Sequence, residues 1–120
     1  MIIAVTSQGH TMESQVDSRF GRASMFIIYD TETNTFKVQS NAQNINAAQG
    51  AGLQAAQTVA RAGAECVITG HCGPKAFRTL QEAGIKVYTG VQGTVAQAID
   101  SFKKGELHAA DAADVDPYRA

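Results

Sequence analysis

From residue 48 to residue 105 the sequence alternates helical stripes with short apolar runs, and glycine closes each helical stripe. Ala48, Ala51, Ala55, Ala56, Val59 and Ala62 recur at spacings of three and four, which predicts one apolar helical face. Gly63 follows as a helix-ending glycine does. Cys66-Val67-Ile68-Thr69 is too short and too continuously apolar for a helix and predicts a buried strand. Residues 74–83 predict the next helix, with Pro74 at the first position, where a missing N–H costs nothing, and Gly84 behind it. Residues 85–89 predict another strand. Val95, Ala98, Ile99 and Phe102 predict a last helix over 95–104, closed by Gly105. Strands joined through helices by short connections pair in parallel with right-handed crossovers.

The first part of the chain is different. Residues 2–6 are apolar and β-branched and predict a strand. Residues 25–29 form a continuous apolar run, as expected of a central strand covered on both faces. Residues 30–34 carry turn chemistry, and residues 35–39 alternate with period two, which predicts a half-exposed strand paired to the previous one as a hairpin. The order β-β-β-α-β-α-β-α predicts an α/β protein: a five-stranded mixed sheet with helices on both faces, in the three-layer ribonuclease-H-like topology. At 120 residues the chain suits one domain, residues 1–105, followed by a loosely ordered tail over 106–120 that is rich in Ala and Asp.

A formal net charge of −1 lacks the basic excess expected of a nucleic-acid or membrane-surface binder. No apolar stretch approaches the length of a membrane span, and the opening five residues are too short for a secretory leader. The expectation is a cytoplasmic, monomeric protein with Cys66 and Cys72 reduced.

Two segments stand out as a candidate site. Gly70-His71-Cys72-Gly73-Pro74-Lys75 falls between a strand and a helix, at the carboxyl edge where open α/β sheets bind ligands and where helix N–H groups favour anions. Cys72 there is either a soft metal ligand, suited to copper, or a reactive thiol, or a small residue filling a loop. His71 is a candidate second ligand or a donor to an anion. Cys66, leading an apolar strand, reads as a packing residue. The second segment is the connection over residues 7–24, too long for an ordinary loop. It holds His10, a further candidate ligand if the loop folds over the site, and Arg19-Phe20-Gly21-Arg22. Arg19, Arg22 and Lys75 would make a cationic pocket for an anion, unless one arginine pairs with Asp17 instead. Gly90-Val91-Gln92-Gly93-Thr94 forms another loop on the same edge, where Val91 would supply an apolar wall, Gly93 close backbone approach and Thr94 a helix cap. The amide-rich run over residues 41–47 suits capping or the rim of the site. A nuclease of this topology would need clustered carboxylates, and the first strand has none.

Asp17-Ser18-Arg19-Phe20-Gly21-Arg22-Ala23 followed by Phe26, together with Gly70-His71-Cys72-Gly73-Pro74-Lys75-Ala76-Phe77, resembles the dinitrogenase iron–molybdenum cofactor biosynthesis family over about residues 1–105. The resemblance, above all to short single-domain members, implies a ribonuclease-H-like fold and a carrier that performs no turnover. The implied cargo is a mixed molybdenum–copper sulfide cluster, with an iron–molybdenum or iron–sulfur cluster as the alternative. The implied protein partners are metal-delivery, cell-division or redox proteins. Matched by position, Arg19, Gly21, Arg22, Gly70, His71, Cys72 and Gly73 become site residues, with Phe20, Lys75 and Val91 around them. A thiol enzyme using Cys72 is the reading from another class.

Overall fold

A computed structural model describes residues 1–41 and 50–111. These residues form strands β1 (Ile2–Ser7), β2 (Met25–Asp30), β3 (Thr35–Ser40), β4 (Cys66–Ile68) and β5 (Lys86–Tyr88), and helices α1 (Ala51–Arg61), α2 (Pro74–Glu82) and α3 (Val95–Lys103). The strands make one sheet in the order β3-β2-β1-β4-β5. β1 pairs antiparallel with β2 and parallel with β4; β2–β3 is antiparallel and β4–β5 parallel. The mixed α/β sheet and its ribonuclease-H-like order are those the sequence predicts.

The central strands are apolar on both faces because both faces are covered. Ala4, Phe26, Ile28, Val67 and Val87 point to one side, where Ala55, Ala56 and Val59 of α1 and Ala76, Phe77 and Leu80 of α2 pack on them. Ile3, Val5, Ile27, Tyr29, Cys66 and Ile68 point to the other, against Val95, Ala98 and Ile99 of α3. The period-two alternation of a strand sorts these residues between two cores. Small residues let the helices close up: a Cβ placed on Gly52 of α1 would lie 3.0 Å from the Ala76 Cβ of α2.

Two expectations change. β3 was expected half-exposed, yet all six of its residues are exposed. It is the terminal strand, and neither core cluster reaches it. The start of the tail, expected to be loose, lies along β5: the Ala110 N–H donates to Val87 O at 2.7 Å and Ala109 pairs with Tyr88. Ala48, residues 42–47 of the amide run and the tail beyond Asp111 lie outside the described residues. Among the described residues no helix is long and apolar enough to cross a membrane.

A polar clasp joins the far end of α3 to the β2–β3 turn. Asn34 adopts φ 56° there, and its Oδ1 accepts from the Tyr29 hydroxyl at 2.8 Å and from Lys103 Nζ at 2.8 Å.

Candidate functional site

The long connection after β1 is built as a hairpin and then a loop. Gln8 N–H donates to Gln15 O at 3.0 Å and Ser7 pairs with Val16, so residues 8–15 fold back on themselves. This hairpin caps α3: the N–H groups of Val95 and Ala96 donate to Ser14 O and Met12 O at 2.9 and 2.8 Å. Thr94 and Gln97 close the same end with a reciprocal capping box, as the Thr94 reading expects. The amino end of α3 is therefore occupied by the protein's own acceptors.

Asp17 organises the second part. Its N–H donates to Thr6 O at 2.9 Å, and its carboxylate accepts from the backbone N–H groups of Arg19 (3.1 Å) and Ser24 (3.4 Å). Beneath it the Thr6 hydroxyl lies 2.8 Å from Asp17 O and 3.0 Å from the Thr69 hydroxyl, fastening the loop to β1 and to the end of β4. Asn41, 1% exposed, spans Gly21 O and Ala23 O with its side-chain amide at 3.2 and 2.9 Å. Asn41 is thus a buried brace, and Gly50 stands at the N-cap of α1.

These anchors bring the two motifs together. Phe20 N–H donates to His71 O at 3.0 Å and Arg19 pairs with His71 as in a parallel sheet. The approach demands glycine: a Cβ on Gly70 would lie 2.7 Å from Ser18 O, and one on Gly21 would lie 2.9 Å from the backbone of Gly52. Gly73 is the N-cap of α2 and Pro74 opens it, as predicted.

Between these segments and residues 90–93 lies a cleft of about 310 Å³ lined by Gln8, Gln15, Val16, Ser18, Gly70, His71, Gly90, Val91, Gln92 and Gly93. It sits at the carboxyl ends of β1, β4 and β5, where the sequence places the site. Gly70, His71, Val91 and Gly93 were anticipated. Gln8, Gln15, Ser18 and Gln92 were missed, although each lies just beyond a strand end or inside a loop already singled out.

Other expected residues lie elsewhere. Phe20 is buried against Phe26, ring centroids 5.6 Å apart. Cys72 is 1% exposed and packs in the core beneath α1 and α2, its Sγ 3.7 Å from Gly73 O. Its side chain turns inward and shares one buried cluster with Phe20 and Phe77, which is the loop-filler arrangement among its three readings. Cys66 is likewise buried, and burial pushes its thiol up to about 12, with Glu65 adding to the rise. His10 is exposed on the hairpin over residues 8–15, outside the residues that line the cleft. Arg19 and Lys75 are exposed, Arg22 is half-buried, and none of the three lines the cleft. The lining mixes polar and apolar groups and holds no lysine or arginine: His71 is its one titratable side chain among the described residues.

The family model for the dinitrogenase iron–molybdenum cofactor matches residues 1–105. The chain belongs to the dinitrogenase iron–molybdenum cofactor family. Within known structures it superposes on the apo form of the orange protein from Desulfovibrio gigas with a TM-score of 0.93, at 40% identity over 95% of this chain and 96% of that one. A Thermotoga protein proposed to be a NifB protein is 42% identical, with a TM-score of 0.79 over 90% of this chain and 91% of that one. An uncharacterised protein of Methanocaldococcus jannaschii is 28% identical over 96 residues, 78% of this chain and 81% of its own length. The region matched by the family model contains both motifs and the whole cleft.

Proposed function

We propose that this family member is a non-catalytic carrier for a preassembled, anionic metal–sulfur cluster, and that the cargo is a mixed molybdenum–copper sulfide. The observation that carries the reading is the cleft formed where residues 17–22 meet residues 70–75, whose lining includes amide, hydroxyl and imidazole groups and no carboxylate. A cluster that brings its own sulfide ligands needs hydrogen-bond donors and a soft wall more than protein ligands. Among the described residues no three His, Cys, Asp or Glu side chains are placed to hold a metal ion. Gln8, Gln15, Gln92, Ser18 and His71 offer donors, and Val16 and Val91 offer the wall. Arg19, next to Ser18 and paired with His71, adds positive charge at the rim, where long-range attraction raises the capture rate of an anion. His71 is the candidate metal contact. Cys72 serves as packing beneath the site rather than as a ligand or nucleophile, because its sulfur is enclosed.

Membership of the dinitrogenase iron–molybdenum cofactor family supports a molybdenum cargo and keeps an iron–molybdenum or iron–sulfur cluster as the second reading. The deciding experiment is anaerobic reconstitution with tetrathiomolybdate and copper(I), followed by desalting. The expected result is molybdenum and copper co-eluting with the protein in a fixed ratio with a visible chromophore. Metals that elute wholly with the small molecules would overturn the cargo, and retention of iron in a parallel reconstitution with iron(II) and sulfide would select the second reading.

A further inference from the structure

A second cleft lies far from the cargo site, over the outer edge of the sheet. It measures about 600 Å³ and is lined by Lys37, Gln39 and Ser40 of β3 and by Gln54, Gln57, Thr58, Arg61 and Ala62 from α1 and its end. Its lining holds two cations and no carboxylate. β3 ends the sheet order, so its outer edge carries no further strand among the described residues. Such an edge is a template for adding one.

The two faces of this edge differ. Lys37 lies opposite Ile28, whose side chain points toward α1, and so Lys37 and Gln39 floor the cation-lined cleft. Phe36 and Val38 lie opposite Tyr29 and Ile27, on the α3 side, and are 43% and 39% exposed. A strand added beside β3 would present alternate residues to these two environments. One set would meet Lys37 and Arg61, and the other would lie beside Phe36 and Val38.

We propose that the edge of β3 docks an extended segment of a partner protein in which acidic and apolar residues alternate. Its carboxylates turn toward Lys37 and Arg61, and its apolar side chains extend the strip formed by Phe36 and Val38. The charge pattern disfavours a second copy of this chain as the occupant, because pairing β3 with β3 would bring the same cations of two chains together. The surface lies two strands from β1, so a docked strand leaves the cargo cleft at β1, β4 and β5 open. A recipient protein can therefore be held while the cargo remains in place, whatever the cargo's metals.

The test uses the full chain and a short fluorescein-labelled peptide alternating glutamate and valine, followed by fluorescence anisotropy. Binding is expected, weakened by added salt in the unaltered protein and weakened roughly tenfold or more by Lys37→Glu with Arg61→Glu. Phe36→Ser with Val38→Ser should also weaken it, and amide shifts should concentrate in residues 35–40. All four positions are exposed, and far-UV circular dichroism checks that the variants fold. Failure to bind, or equal affinity for a peptide with lysine in place of glutamate, would overturn the proposal. So would a stable dimer in sedimentation that Phe36→Ser with Val38→Ser dissolves, which would assign the edge to a second copy.

Discussion

Gly70 shows how one residue without a side chain shapes the site. The loop over residues 17–22 rests on it so closely that a methyl group would collide with the Ser18 carbonyl. Gly70→Ala should cost about 1–3 kcal/mol, the usual cost of forcing atoms into a filled space, because backbone must move to make room. Thermal unfolding measures the loss, and reduced retention of the proposed cargo by the folded variant would show that the loop has shifted from His71. The cysteines carry a different lesson. Cys72 sits at the start of a helix, where a thiol is activated if it is exposed, but activation needs an accessible sulfur. Cys66 has a pH consequence. Its folded thiol titrates near 12 against an ordinary 9.0, so the folded state keeps a proton that the unfolded chain gives up first. Stability from this group is full below about 9 and is lost as pH rises from 9 toward 12. Cys66→Ala should flatten that alkaline decline. Urea midpoints of both proteins, taken at neutral pH and across this window, check it. Parallel declines would show that the loss comes from other groups.

At the scale of elements, α3 is held at both ends by polar contacts as well as by its apolar face. Thr94 Oγ1 accepts from Gln97 N–H at 3.1 Å, and Gln97 Oε1 accepts from Thr94 N–H at 2.9 Å. Thr94→Ala should cost about 1 kcal/mol, typical of a lost N-cap. The effect should spread, since Val16 N–H bonds Gly93 O and the hairpin over residues 8–15 accepts from Val95 and Ala96. Amide hydrogen exchange should therefore quicken at Val16 and Gln97 together; acceleration confined to Gln97 would mean that the hairpin stands independently of the cap. Element identity was legible because the period changes are sharp: the proline-first, glycine-last segment of α2 and the continuous run of β2 each allow one reading. β3 was half legible. Its alternation of Phe36 and Val38 with Lys37 and Gln39 reveals the strand, but period alone cannot say whether anything covers either face.

On the scale of the whole molecule, two apolar clusters share the five-stranded sheet, and every central strand contributes to both. Loss of the sheet would empty both clusters at once, so unfolding should be two-state. Tyrosine fluorescence of a Tyr118→Phe variant, which reports Tyr29 and Tyr88 on the α3 side, should coincide with far-UV circular dichroism; separate transitions would mean that the layers unfold independently. The sequence by itself determined the order of the elements, the α/β class, the sheet edge that carries the candidate cleft and the two motifs that meet there. These follow from local periodicity, glycine and proline chemistry, and the handedness of crossovers, all of which are written in neighbouring residues. Only the tertiary structure decided that Cys72 turns into the core, that Arg19, Arg22 and Lys75 stay outside the cleft, that Gln8, Gln15 and Gln92 enter its lining, and that Asn41 braces a loop about twenty residues earlier in the chain. Those outcomes depend on which way a side chain points once distant segments have packed, and that direction is set by the contacts among segments rather than by the residues beside it in the chain.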